Sequence, residues 1–188
     1  MSRWKPDGRR RLQDAALELY AERGFAEVTA AAVAERAGLT ERTFFRHFPD
    51  KKEILFGDEE ALRDVFTAAA AAVPDGASPL EATLAGLKAL TGTLQPRRER
   101  LVLRTRIIRH SPDLRERELV KLASWAAALA GTLRERGLGA AEAQYAAETA
   151  TTVFRVAFER WTAEPPVDES LFDLVHEGFA AVERFLHR

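Results

Sequence analysis

Residues 28–55 read VTAAAVAERAGLTERTFFRHFPDKKEIL, and this stretch decides the fold. Thr29 can cap a short helix carrying Val33, Ala34 and Ala37, because a threonine hydroxyl accepts from the free amides of a first helical turn. Gly38 ends that helix, since glycine enters the left-handed conformation with no Cβ penalty. Thr40 then caps a second short helix over 40–48, whose Phe44 and Phe48 stand four apart and so share one face. Two short helices across a Gly-Leu-Thr turn form a helix-turn-helix. In such a unit the second helix lies in the major groove of DNA and presents its N-terminal and outward residues to base edges.

With Phe44 and Phe48 inward, Glu41, Arg42, Thr43, Phe45, Arg46 and His47 are left to face DNA, beside the caps Thr29 and Thr40. Arg42 and Arg46 can each offer paired donors to guanine or meet phosphate. Thr43 can give its hydroxyl to phosphate or its methyl to thymine, and Glu41 can accept from cytosine. Two other readings stand beside these: Phe45 packs into a core, and an exposed Arg or His is simply solvated.

Outward from this segment nearly every stretch has helical period, and no alternating run is long enough for a sheet, so the class is all-α with about nine helices. Leu12, Ala15, Ala16, Leu19 and Tyr20 form the apolar stripe of a first helix that Gly24 ends. Pro49 closes the helix at 40–48, and Asp50 with Glu53 forms a capping box opening a fourth helix from 50 to about 72. AVPDGAS at 72–78 is the clearest interruption. Ser78-Pro79-Glu81 and Ser111-Pro112 repeat a cap-then-proline signal, and further helices are expected over 79–94, 97–110, 112–136, 140–163 and 168–187.

The chain has 188 residues, 46% hydrophobic and 30% charged, with a net charge of −1, an ordinary globular composition. That net charge argues against indiscriminate nucleic-acid binding. It averages two regions: 11 Lys+Arg against 9 Asp+Glu over 1–56, hence +2, and 17 against 20 over the rest, hence −3. Arg3, Lys5, Arg9, Arg10 and Arg11 are opposed locally only by Asp7 and read as a basic arm or as a solvated tail. There is no cysteine, which excludes disulfides and thiolate metal sites and fits a reducing cytoplasm, the location expected. No export signal and no apolar run of about 18 residues is present, so no membrane partner is expected. A Gly-rich phosphate loop and an HExxH pattern are missing, and His47, His110, His176 and His187 lie far apart. Neither an enzyme nor a cofactor nor a metal is expected.

From Gly24 to Leu55 the order and spacing of residues resemble the DNA-binding region of TetR-family regulators. The resemblance implies a DNA-binding domain over 1–56 and a ligand-binding and dimerisation domain over 57–188. It implies that Thr43, position 45, His47 and Lys51 contact backbone or bases, with Lys51 and the amides beside it favouring phosphate. Two departures stand out. The family usually places a phosphate-binding tyrosine where this chain has Phe45, and helix two reads Ala30, Ala31, Ala32 where relatives often carry a polar contact.

The helices over 140–163 and 168–187 are apolar around more than a single stripe, which implies two burial faces or a central place in a monomer. In TetR relatives the last two helices pair with their symmetry mates. On that pattern Val153, Trp161, Val175, Phe179 and Val182 are candidates for a homodimer interface, and double-stranded operator DNA would be palindromic. The middle helices should frame an effector cavity. Arg104, His110, Trp125, Phe154, Arg155 and Phe158 are its candidate lining, although aromatics at helical spacing are more often core. The run RTRIIRHSPDLRERELVKLASW at 104–125, and Arg160-Trp161 before a proline-containing loop, resemble regulators associated with mycofactocin clusters. That points to an acyl-CoA-like or other hydrophobic effector. The function implied is a repressor released from its operator by a small molecule; the alternative is a DNA-binding architectural protein that needs no ligand.

Overall fold

The structure, a computed structural model, describes residues 8–187; Arg3 and Lys5 of the basic arm lie outside them. Among the described residues the chain forms nine α-helices and no strand. These are α1 (Gly8–Arg23), α2 (Ala30–Arg36), α3 (Glu41–His47), α4 (Glu59–Ala71), α5 (Pro79–Leu94), α6 (Arg98–Arg109), α7 (Pro112–Glu135), α8 (Ala140–Trp161) and α9 (Leu171–Leu186). The all-α class read from periodicity holds.

Local chemistry sets the ends. Ser78 Oγ accepts from the Glu81 amide at 3.2 Å while Glu81 Oε2 accepts from the Ser78 amide at 2.7 Å, a full capping box with Pro79 at the first position of α5. Hydrogen bonds from the Ser78 amide and hydroxyl hold the Glu81 carboxyl below the usual carboxylate range. One boundary differs from the expectation. Asp50 Oδ1 does accept from the amides of Lys52 and Glu53, at 2.7 and 2.9 Å, but the segment it caps is only a 3-10 turn, Glu53–Leu55, and α4 begins at Glu59. Glu53 pairs with Arg117 at 2.5 Å, and the turn between this segment and α4 is tied to α1, where Arg9 donates to the Gly57 carbonyl and Gln13 to Asp58. Likewise α9 starts at Leu171, because Ser170 Oγ accepts from the Asp173 amide.

The chain divides into two compact units, one of residues 8–58 with 103–117, the other of 59–102 with 118–187. In the first, Leu12, Ala16, Leu19 and Tyr20 of α1 pack with Val33, Phe44, Phe48, Ile54 and Phe56. Ile107, Ile108 and Leu114, which flank the break between α6 and α7, complete that core. Each large apolar side chain so buried contributes about 1.5–3 kcal/mol.

In the second unit Phe66 of α4 and Leu87 and Leu90 of α5 pack with Trp125, Leu129 and Leu133 of α7, Phe154 and Trp161 of α8 and Leu174 of α9. Glycine at 86 is a packing requirement: a Cβ there would lie 2.6 Å from the Phe66 carbonyl oxygen, so α4 and α5 touch through backbone. Arg160 of α8 pairs with Glu177 of α9 at 3.0 Å along the rim.

Candidate nucleic-acid interface

Two threonines start the two short helices. Thr29 Oγ1 accepts from the Ala32 amide at 3.1 Å, and Thr40 Oγ1 from the Thr43 amide at 3.2 Å. Both hydroxyls act as acceptors in these caps, so Thr29 keeps its own hydrogen to donate. Thr40 and Thr43 share one hydrogen between oxygens 3.0 Å apart, leaving that pair one more. The turn between α2 and α3 closes through Gly38 N to Glu35 O and Leu39 N to Ala34 O, each 2.8 Å, with Gly38 at φ +63°.

Phe44 and Phe48 are fully buried, which fixes the orientation of α3. Glu41, Arg42, Phe45 and Arg46 are exposed, while Thr43 and His47 are half-buried. Among the described residues neither Arg42 nor Arg46 has a hydrogen-bond or ion-pair partner. The other basic groups around α3 are engaged. Arg9 donates to the carbonyls of His47 and Gly57 and lies over the Phe48 ring. Arg11 donates to Ala37 and Gly38, and Arg36 joins Glu18 and Glu22 of α1 at 3.3 and 3.1 Å. The hydrogen bond from Arg36 holds the Glu22 carboxyl below its ordinary range.

Lys51 is tied down as well. Its ammonium donates to the carbonyls of Phe25, Ala26 and Val28 at 3.0, 3.2 and 3.1 Å and lies 4.4 Å from the Phe25 ring centre. The Tyr20 hydroxyl donates to the Lys51 carbonyl at 3.0 Å. Burial, and then the charge of Asp50, pushes the Tyr20 phenol above its ordinary range.

Sequence reasoning missed the support that 103–117 gives this unit. Arg104 Nε donates to the Leu55 carbonyl at 2.8 Å and the guanidinium lies over Phe56, while Lys52 meets Asp113 at 3.1 Å. The pattern Ile107, Ile108, break, Leu114 was the available signal, but periodicity says only that a face is apolar, not what it meets.

The residues expected around an effector fall in different units. Arg104 and His110 belong to the first, where His110, just past the end of α6, donates from Nδ1 to the Arg106 carbonyl at 2.7 Å. Trp125, Phe154, Arg155 and Phe158 belong to the second. There Phe66, Trp125, Phe154, Phe158 and Trp161 form a ladder of rings with successive centres 5.8–6.4 Å apart. Arg155 pairs with Glu159 at 2.8 Å. Trp161 is wholly buried, its Nε1 has no hydrogen-bond partner among the described residues, and Arg98 donates to its carbonyl at 2.9 Å. Of the residues expected at a dimer interface, Val153, Trp161 and Val175 are buried within the second unit and Phe179 and Val182 are half-buried. Tyr145, Val156, Phe185 and Leu186 on the same two helices are exposed.

Two capped helices across a glycine turn, the second with a bare cationic and aromatic face, define a helix-turn-helix DNA-binding protein. Residues 12–57 match the model of the tetR family of bacterial regulatory proteins, and 77–187 match the MftR C-terminal domain. The chain belongs to the tetR family and is a DNA-binding transcriptional regulator. It is 28% identical over 185 residues to MftR of Mycobacterium tuberculosis, whose name assigns it to mycofactocin biosynthesis regulation, across 91% of this chain and 93% of that one. It is 35% identical over 80 residues to the transcriptional regulator TcmR of Streptomyces glaucescens, a match spanning 43% of this chain and 35% of TcmR's length. Among solved structures, Thermus thermophilus FadR with lauroyl-CoA superposes at a TM-score of 0.59, with 22% identity and 93% of both chains covered. The SmeT–triclosan complex superposes at 0.64, with 20% identity over 96% of this chain and 90% of that one. At these identities the two likenesses establish the fold. Among the described residues no helix is long and apolar enough to cross a membrane.

Proposed function

We propose that the chain is a cytoplasmic repressor that binds a palindromic operator as a homodimer, with α3 in the major groove, and leaves it when a small amphiphile binds. The observation that carries the reading is the pair of unpartnered guanidiniums, Arg42 and Arg46, flanking exposed Phe45 on α3. In this reading Arg42 and Arg46 take guanine edges or phosphates, and Glu41 accepts from cytosine. The remaining hydroxyl hydrogens of Thr29 and of the Thr40–Thr43 pair, with a ring N–H of His47, go to phosphate. Lys51 has three donors and three carbonyl partners, so it acts by holding the loop before α2 rather than by reaching DNA.

The homodimer would form through α8 and α9, where Tyr145, Val156 and Phe185 are exposed and Phe179 and Val182 half-exposed. Val153, Trp161 and Val175 would shape that surface from beneath. The effector would enter the second unit beside Trp125, Phe154, Arg155 and Phe158. The acyl-CoA in the FadR complex motivates an acyl chain as the first probe. We read the chain as a binder of DNA and effector, not an enzyme.

Affinity titrations on an operator obtained by selection from random duplexes test the core of this proposal. Arg46→Ala should weaken binding about tenfold or more, the scale of one lost bidentate base contact. Thr43→Ala should weaken it less. Wild-type affinity in both variants would overturn the assignment of α3. The ring-to-ring packing of Trp125, Phe154 and Phe158 favours a second reading, a DNA binder without an effector. In that case lauroyl-CoA would leave both thermal stability and operator affinity unchanged.

A further inference from the structure

We propose that Phe45 makes operator recognition depend on the 5-methyl group of a thymine in each half-site, an inference that rests on placing α3 in the major groove. Phe45 is 50% exposed on a helix whose neighbouring aromatics, Phe44 and Phe48, are buried. Among the described residues of the first unit it is the one large apolar side chain left in solvent. Its ring is also held in place. Phe44 meets it edge to face, with centres 5.3 Å apart and planes at 74°, and Phe44 in turn packs on Phe48 at 5.8 Å. An aromatic ring backed by two buried rings loses little freedom when it meets a ligand.

The chemistry of that ring limits what it can read. It has no donor or acceptor, so a phosphate oxygen gives it nothing. In the major groove the edges of the four base pairs offer hydrogen-bonding atoms and a single apolar group, the thymine 5-methyl. Arg42 and Arg46 lie three residues before and one after it on the same exposed side, each suited to guanine. The arrangement therefore selects a thymine close to guanine, with the methyl against the Phe45 face. It discriminates thymine from cytosine by burial rather than by a hydrogen bond.

The experiment uses the full chain. An operator is first selected from random duplexes, and each thymine of one half-site is then replaced singly by deoxyuridine, which removes only the methyl. Affinity is read by fluorescence anisotropy for the wild type, Phe45→Ala and Phe45→Tyr. One thymine per half-site should show a loss of about fourfold on replacement, the scale of one methyl withdrawn from an apolar contact. Phe45→Ala should bind the thymine and deoxyuridine duplexes equally, and Phe45→Tyr should keep the preference. A half-site in which no replacement changes wild-type affinity beyond twofold overturns the proposal, as does a preference that survives in Phe45→Ala. If selection enriches no sequence at all, the DNA-reading assignment of α3 fails first, and the proposal with it. The wild-type scan needs no substituted protein, so a folding defect in a variant does not protect the idea.

Discussion

The ammonium of Lys51 lies 3.0 Å from the carbonyl oxygen of Phe25, and its other donors reach the carbonyls of Ala26 and Val28. A residue just beyond the recognition helix thereby fastens the loop that leads into α2. The basic groups thus divide in two: those with carbonyl or carboxylate partners hold the first unit together, and Arg42 and Arg46 on the outer face of α3 have no partner among the described residues.

Lys51→Met keeps the aliphatic stem and removes three charge-assisted hydrogen bonds. It should lower unfolding stability by about 2 kcal/mol, a discounted figure because the group is half in solvent. The slope of log affinity against log salt should stay that of the wild type. Denaturant midpoints and a salt titration check both. A slope reduced by about one unit, with stability intact, would mean that the ammonium neutralises a phosphate instead.

Leu114 is wholly buried in the core of the first unit although it stands 58 residues beyond Phe56 in sequence. Leu114→Ala should cost about 2–5 kcal/mol, the range for truncating a buried leucine, and should impair DNA binding only through stability. A fragment ending at Asp58 would lack Ile107, Ile108 and Leu114 together, and should show no cooperative thermal transition by circular dichroism. A fragment that melts cooperatively would mean that α1 to α3 suffice for a core.

What the sequence made legible, and what it did not, divides along the same line. Caps and breakers act within a few residues, so Thr29, Gly38, Thr40 and Ser78-Pro79-Glu81 mark their helix ends directly. The inward pair Phe44 and Phe48 comes from helical spacing alone. In sequence Lys51 reads as a phosphate contact, and Arg9 and Arg11 as part of a basic arm or a solvated tail, because a charge seen in sequence has no visible partner. The carbonyls that engage them come from the loop before α2, the end of α2, the end of α3 and the turn before α4. The late start of α4 has the same origin, since Arg9 and Gln13 hold Gly57 and Asp58 in the turn before it from 48 and 45 residues away in the chain.

Gly38 has φ +63°, and a Cβ there would also lie 2.9 Å from Arg11 Nη2. Gly38→Ala should therefore destabilise the first unit by about 1–2 kcal/mol from the left-handed backbone alone. Moving Arg11 away from the new Cβ would also loosen its hydrogen bonds to the Ala37 and Gly38 carbonyls. The variant should retain helicity and show a lower denaturant midpoint; a midpoint equal to the wild type would mean that the turn has relaxed to another conformation. Gly24, also at positive φ but with no atom near its absent Cβ, offers the comparison in which only backbone strain is at stake.

Tyr20 gives a pH dependence whose sign can be stated. Its phenol is buried, donates to the Lys51 carbonyl and is held above its ordinary range. A group whose folded pKa is raised contributes stability that is complete below the unfolded value, about 10 for tyrosine, and is lost as pH rises through the folded value. Tyr20→Phe removes both the hydrogen bond and this titration. Near neutral pH the variant should be less stable by about 1 kcal/mol, the ordinary net worth of one hydrogen bond. Above about pH 10 the wild type alone must hold a phenol un-ionised against the unfolded chain's preference, so the gap between the two proteins should close as the solution becomes more alkaline. Urea unfolding at a series of alkaline pH values measures that gap. A difference that stays constant through this range would show that the Tyr20 hydroxyl ionises as freely in the fold as in the unfolded chain.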